Sequence, residues 1–191
     1  ATNTSLAALH LGLNEITDSG AFALAKAAMA CQSLMLLDLQ SYQTKCGRVL
    51  TELALLGRGR GGTTGLDCSE MSTDDDVMLL SSAMATNTPL TTLYFGDTRF
   101  TDVGASALAT AVTRCASLTT LALARNELTH VGVASLAMAF LRSPKLEYFS
   151  VNVGRNARAR QILAAARALV NAVRPTVWLL GRPLPALGGQ L

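Results

Sequence analysis

The chain has 191 residues, is 50% hydrophobic and only 15% charged, and has a mean hydropathy of +0.33. So apolar a composition excludes disorder, yet no run of about 18 apolar residues suits a bilayer; the longest candidate, Ile162 to Val173, is interrupted by Arg167 and Asn171. The net charge of +3 is too mild to argue by itself for nucleic acid, but its distribution is lopsided: Arg155, Arg158, Arg160, Arg167, Arg174 and Arg182 follow the last acid, Glu147, so a +6 end closes a chain that otherwise sums to −3.

Leu6, Leu34, Leu118 and Leu146 fall at one fixed period, and Leu90 lies two such periods after Leu34, which marks an internal repeat. In the first unit, Leu6, Leu9 and Leu11 alternate as in a short strand, Asn14 and Ile16 follow, and Gly20 to Ala30 shows helical spacing. The second unit, from Leu34, carries Tyr42 at the asparagine offset and a helix around Leu53. The third, with Leu66, Met71 and Leu79, is one residue out of step with Leu90, so a unit of about 27 followed by one of about 29 is expected. The units from Leu90 and Leu118 are the most regular, with Thr98 and Asn126 after the strand and helices opening near Gly104 and Gly132. The sixth begins with Leu146, Phe149 and Val151 and continues as the Arg-rich helix of residues 157–173; Pro175 stops it, and Val177 to Leu180 supply a last strand.

A unit of this size cannot bury both a strand face and a helix face alone, so neighbours must stack into a solenoid. Parallel strands sit about 4.8 Å apart and helices are about 10 Å across, which forces curvature with strands inside. These units resemble leucine-rich repeats of the ribonuclease-inhibitor type, through the pattern Leu118-x-x-Leu121-x-Leu123-x-x-Asn126-x-Leu128 and the following Gly132-Val133 and Leu136-Ala137. The resemblance implies a right-handed α/β horseshoe, with Asn14 and Asn126 bonding the turn after each strand and with Thr98 and Tyr42 serving less well there. One domain is expected over residues 1–180, of about six units starting near 6, 34, 62, 90, 118 and 146, with 181–191 as a tail. The first unit has no polar cap, and "ATNTSL" repeats "ATNTPL" before Leu90, so a segment preceding residue 1 is expected.

Chemical motifs give way to structural readings. Gly57, Gly59 and Gly62 satisfy Gly-x-Gly-x-x-Gly, but they follow a helix and precede a strand, the reverse of a dinucleotide site, and read as a turn. Asp74, Asp75 and Asp76 read as the acidic first turn of the third helix, with Thr73 or Ser72 as its cap. His10 and His130 stand at unrelated offsets and assemble no triad with Ser and Asp. Cys31 and Cys115 are three units apart and cannot pair, and Cys46 and Cys68 differ in offset. Reduced thiols in an intracellular, cytoplasmic setting are therefore expected, without cofactor or metal.

What remains for function is the set of residues between the strand leucines. His10, Asp38, Asp67, Tyr94, Asp97, Arg125, Tyr148, Ser150 and Asn152 mix acids, aromatics and hydroxyls on the inner face, which suits a noncatalytic protein contact. Arg155, Arg158 and Arg160 form a second candidate surface, either a polar cap or a contact for an acidic protein or RNA. The family resemblance adds alternatives: similar solenoids include GTPase-activating proteins for Ran, nucleotide-switched sensors and actin regulators. No P-loop is present for the sensors, and a single Trp, Trp178, departs from the ribonuclease inhibitors themselves.

Overall fold

The computed structural model describes residues 3–39, 47–55, 64–71, 73–84, 89–143 and 145–173. Outside them lie the glycine-rich stretch at 57–62, Tyr42, Cys46, Ser72, the strand expected at 177–180 and the tail from 181.

Among the described residues, strands and helices alternate six times. They are β1 (Ala8–His10), α1 (Asp18–Ala30), β2 (Leu36–Asp38), α2 (Gly47–Ala54), β3 (Gly65–Asp67), α3 (Asp74–Met84), β4 (Thr92–Gly96), α4 (Asp102–Arg114), β5 (Thr120–Ala124), α5 (His130–Arg142), β6 (Tyr148–Val151) and α6 (Ala157–Val173). Helices α1, α4 and α5 begin ahead of the glycine that opens their apolar periodicity, because each starts directly after a threonine at the N-cap. All strand pairs are parallel, in one sheet of β1 and β2 and another ordered β3-β4-β5-β6. Strand follows strand in chain order because each helix returns the chain alongside the strand it left.

Register is fixed by which leucines the core must take. Leu93 lies opposite Leu121 and Leu121 opposite Phe149, each a full period on, whereas Leu66 lies opposite Leu93, one position short of that period. The central residue of β2, Leu37, precedes its counterpart Leu66 by one position more than the period. The long unit thus comes first and the short one second, the reverse of the expected order. Leucine spacing misplaces the slip because it does not distinguish half-buried Leu79 from Val77, Leu80 and Met84, which carry the core side of α3.

The core is a set of ladders running across the units. Leu37, Leu66, Leu93, Leu121 and Phe149 form one, and Leu90, Leu118 and Leu146 another, all nearly or fully buried. Helices answer with Val77 and Leu80, Leu108 and Val112, and Leu136 and Phe140. Where Phe replaces Leu, rings pair: Phe95 meets Phe100 edge-on at 5.5 Å, and Phe140 stacks on Phe149 at 5.4 Å.

Polar groups join the units as well. Ser33 Oγ donates to Leu6 O at 2.9 Å, and at the same offset three units on Ser117 Oγ donates to Leu90 O at 2.7 Å. Asp74 opens α3 and reaches the following helix: its carboxylate accepts Thr101 N at 2.8 Å, Thr101 Oγ1 at 2.7 Å and Gly104 N at 2.9 Å. Asp102, one unit later, takes Thr129 N at 2.9 Å and the Thr129 hydroxyl in the same manner. The expected capping of α3 itself also holds, since Thr73 Oγ1 accepts Asp76 N at 3.2 Å and Asp76 Oδ2 accepts Thr73 N at 3.1 Å. A carboxylate at the first helical position thus fills the neighbour's orphan amides.

Candidate protein-binding face

The turn that ends each strand sets the edge of the open face, the side of the sheet away from the helices. Leu13, Asp97 and Arg125 adopt left-handed φ values of 59°, 54° and 52° at equivalent places in the first, fourth and fifth units. Residues with a Cβ adopt this conformation at a cost, and the bonds of the turn hold it. Asn14 Nδ2 donates to Leu11 O at 2.9 Å, and Asn126 Nδ2 donates to Ala124 O at 3.2 Å and, across the unit boundary, to Phe95 O at 3.4 Å. Thr98, in the asparagine position of its unit, is fully buried and donates its hydroxyl to Asn126 Oδ1. Its turn is therefore completed by the asparagine of the next unit.

The register places the candidate residues in two columns. Gly65, Thr92, Thr120 and Tyr148 stand side by side in one, and Asp67, Tyr94, Ala122 and Ser150 in the other. His10 and Asp38 pair in the separate β1–β2 sheet. The ring of Tyr94 lies flat along its own strand over Gly96: a Cβ there would meet its hydroxyl oxygen at 2.6 Å, so only glycine accepts that pose. Ala122, beside Tyr94, is only 4% exposed although it belongs to the open face. The result is a neutral floor of small and hydroxyl side chains between two tyrosines.

The charged candidates divide by what they touch. Arg125 Nη1 pairs with Asp97 Oδ1 at 3.0 Å, both largely exposed, at the edge of this floor. Asp67 Oδ1 accepts Ser69 N at 3.0 Å and Ser69 Oγ at 2.5 Å, so it shapes its turn. Asn152 Oδ1 accepts Gly154 N at 3.0 Å. Arg155, Arg158 and Arg160 lie at and before the start of α6, exposed and away from the strand columns; Arg160 Nε donates to Gly154 O at 3.0 Å. The open face and the arginine end are thus distinct surfaces.

Burial pushes the Cys68 thiol well above its ordinary value, with Asp67 and Glu52 adding to the effect, so its thiolate is disfavoured. Arg48 is held above its ordinary value: burial acts to lower it, but Glu52 at 2.7 Å and Glu70 at 3.2 Å prevail. Among the described residues, no three His, Cys, Asp or Glu side chains could share a metal ion. On the helix side, a shallow groove of about 520 Å³ between α4 and α5 is lined by Ser106, Thr110, Thr113, Ser135, Met138 and Arg142.

Sequence reasoning missed the reach of Asp74 and Asp102 into the next unit, the pose of Tyr94 and the Arg48–Glu52–Glu70 cluster. A signal existed for the first, since Asp18, Asp74 and Asp102 share one offset, each after a threonine. The Arg48–Glu52 pair also had one, its i,i+4 spacing on a helix, whereas the reach of Arg48 to Glu70 and the pose of Tyr94 depend on side-chain directions that no spacing encodes.

Comparison with known proteins agrees with this architecture. Residues 2–25, 86–109 and 114–137 match the family described as Leucine Rich repeat. A search of curated proteins returned no match. Among solved structures, the chain is similar to "Leiomodin-1 Actin-Binding Site 2 (ABS2)", with 18% identity, a TM-score of 0.57, and coverage of 75% of this chain and 82% of that one. At that identity the likeness concerns the fold. Repeating strand–helix units and parallel register identify the chain as an α/β repeat solenoid, in which three stretches match leucine-rich repeats.

Proposed function

We propose that this protein is a noncatalytic binding scaffold of the ribonuclease-inhibitor-like kind, its repeat being the longer strand–helix form of the leucine-rich unit, and that it holds a protein partner on the open face of the β3–β6 sheet. Leucine-rich repeat domains generally mediate protein–protein contact, which supports the class. The observation that carries the site is the pair of register columns, Thr92–Thr120–Tyr148 and Tyr94–Ala122–Ser150. They offer a continuous surface with two aromatic anchors that the core does not use. Tyrosine gives a large contact area at little entropy cost and a hydroxyl that can bond across the interface. The buried thiol of Cys68 fits a reducing, intracellular setting, and no helix among the described residues is long and apolar enough to cross a membrane.

The test is affinity capture with the wild type and with Tyr94→Ala/Tyr148→Ala, after circular dichroism shows that both fold. A partner retained by the wild type and lost by the double variant supports the open face; equal retention overturns it. The leiomodin segment is described as binding actin. Purified actin is therefore a sensible first ligand, and saturable binding that depends on the two tyrosines would give the partner.

A further inference from the structure

The repeat architecture assigns a flank of each helix to the next unit. A Cβ on Gly132 of α5 would come within 3.2 Å of the Ala105 Cβ, so the Ala105 side of α4 is the one α5 covers. On it, Ala105, Ala109 and Val112 are 0%, 7% and 1% exposed, and one unit on Val133, Ala137 and Phe140 are 0%, 3% and 0% exposed. The cap of α5 is Thr129 and that of α6 is Asn156, whose Oδ1 accepts Ala159 N at 3.0 Å. With that shift, the same flank of α6 carries Arg160, Ala164 and Arg167, all exposed.

We propose that this flank of α6, with Arg155 in the preceding turn, docks a helix of a partner protein rich in Glu or Asp, laid where a further repeat helix would lie. A solvated helix flank needs polar side chains, but mixed charges would serve for that. Here every charge is a guanidinium, and the sequence has no acid after Glu147. The guanidinium groups of Arg155 and Arg167 make no ion pair or hydrogen bond among the described residues. Arg160 and Arg167 are separated by about 10 Å along the helix axis, close to one Debye length at 0.1 M salt, so each can meet its own carboxylate while both raise the local potential. Ala164 between them leaves room for a helix to approach to about 8–10 Å. Guanidinium suits a carboxylate through two parallel hydrogen bonds. The chain's own residues 174–191 add Arg174 and Arg182 and no acid, so charge favours a partner over them. RNA is disfavoured because residues 150–173 contain no Phe, Tyr or Trp on which bases could stack.

The experiment uses the full chain and fluorescence anisotropy with three labelled probes: an alanine-based helical peptide of about 18 residues with Glu at i, i+4 and i+7 spacings, the same peptide with Gln, and a uridine RNA of similar length. The expected result is saturable binding of the Glu peptide alone, weakened at least about tenfold, or about 1.4 kcal/mol, by Arg167→Glu and by Arg155→Gln/Arg167→Gln. Lys26→Glu, the same change of net charge on an exposed residue of α1, leaves it unaltered. Equal weakening by Lys26→Glu, failure of the Glu peptide to bind, or tighter binding of the RNA overturns the proposal. None of these variants touches Tyr94 or Tyr148, so failure here leaves the open-face reading standing and the converse holds as well.

Discussion

Replacing Asp74 by Ala tests the idea that units are joined by a carboxylate rather than by leucine alone. The substitution removes three bonds, from Thr101 N, Thr101 Oγ1 and Gly104 N, and takes a negative charge from the start of α4. A bond to an ionised group contributes about 1.5–3 kcal/mol when well shielded. Asp74 is only half-buried, so water recovers much of that, and loss of a helix cap typically costs about 1 kcal/mol. The expected destabilisation is about 2 kcal/mol, which for a chain of this size lowers Tm by about 4–8 °C. Urea and thermal unfolding followed by circular dichroism give the total, and amide exchange gives the place: Gly104 should lose protection while Val131, whose amide is taken by Thr129, keeps it. A change below about 0.5 kcal/mol, the usual range of a neutral surface substitution, or unaltered protection at Gly104 would refute the reasoning.

The same carboxylate sets a pH dependence. Burial alone would raise its pKa, but the bonds from Thr101 and Gly104 prevail and hold it below the ordinary 3.8. A depressed acid contributes stability that is complete above its unfolded value and is lost as pH falls through the folded one; the advantage of wild type over Asp74→Asn should be constant near neutrality and shrink below pH 3.8, as acid titrations of both would record. Phe149→Ala leaves a cavity beside Phe140 and should cost about 3–5 kcal/mol by urea unfolding. The Asp97–Arg125 pair is 66% and 74% exposed, so a double-mutant cycle should give less than about 1 kcal/mol of coupling, vanishing in molar salt. In the native state a thiol reagent should leave buried Cys68 unmodified, with reaction there only on unfolding.

Sequence alone determined the kind of fold, because the repeat is a statement about burial. Leu90, Leu118 and Leu146 recur because each unit must give the core the same apolar face, and α6 could be bounded at residues 157–173 because its periodicity and the following Pro175 are both local. The candidate face was legible for the same reason: once Leu93, Phe95, Leu121 and Leu123 are assigned inward, alternation sends Thr92, Tyr94, Thr120 and Ala122 to the other side. Three-dimensional packing decided the rest. The one-residue slip went to the wrong side of Leu66 because a partly buried leucine looks the same in sequence as a core one. Only tertiary contacts could show that Asp74 serves the next helix, that Tyr94 needs Gly96 beneath it, and that Arg160 and Arg167 occupy a flank which Val133 and Phe140 fill one unit earlier. Such facts depend on distances between atoms of different units, and a period along the chain fixes which residues recur without fixing which neighbour each one meets.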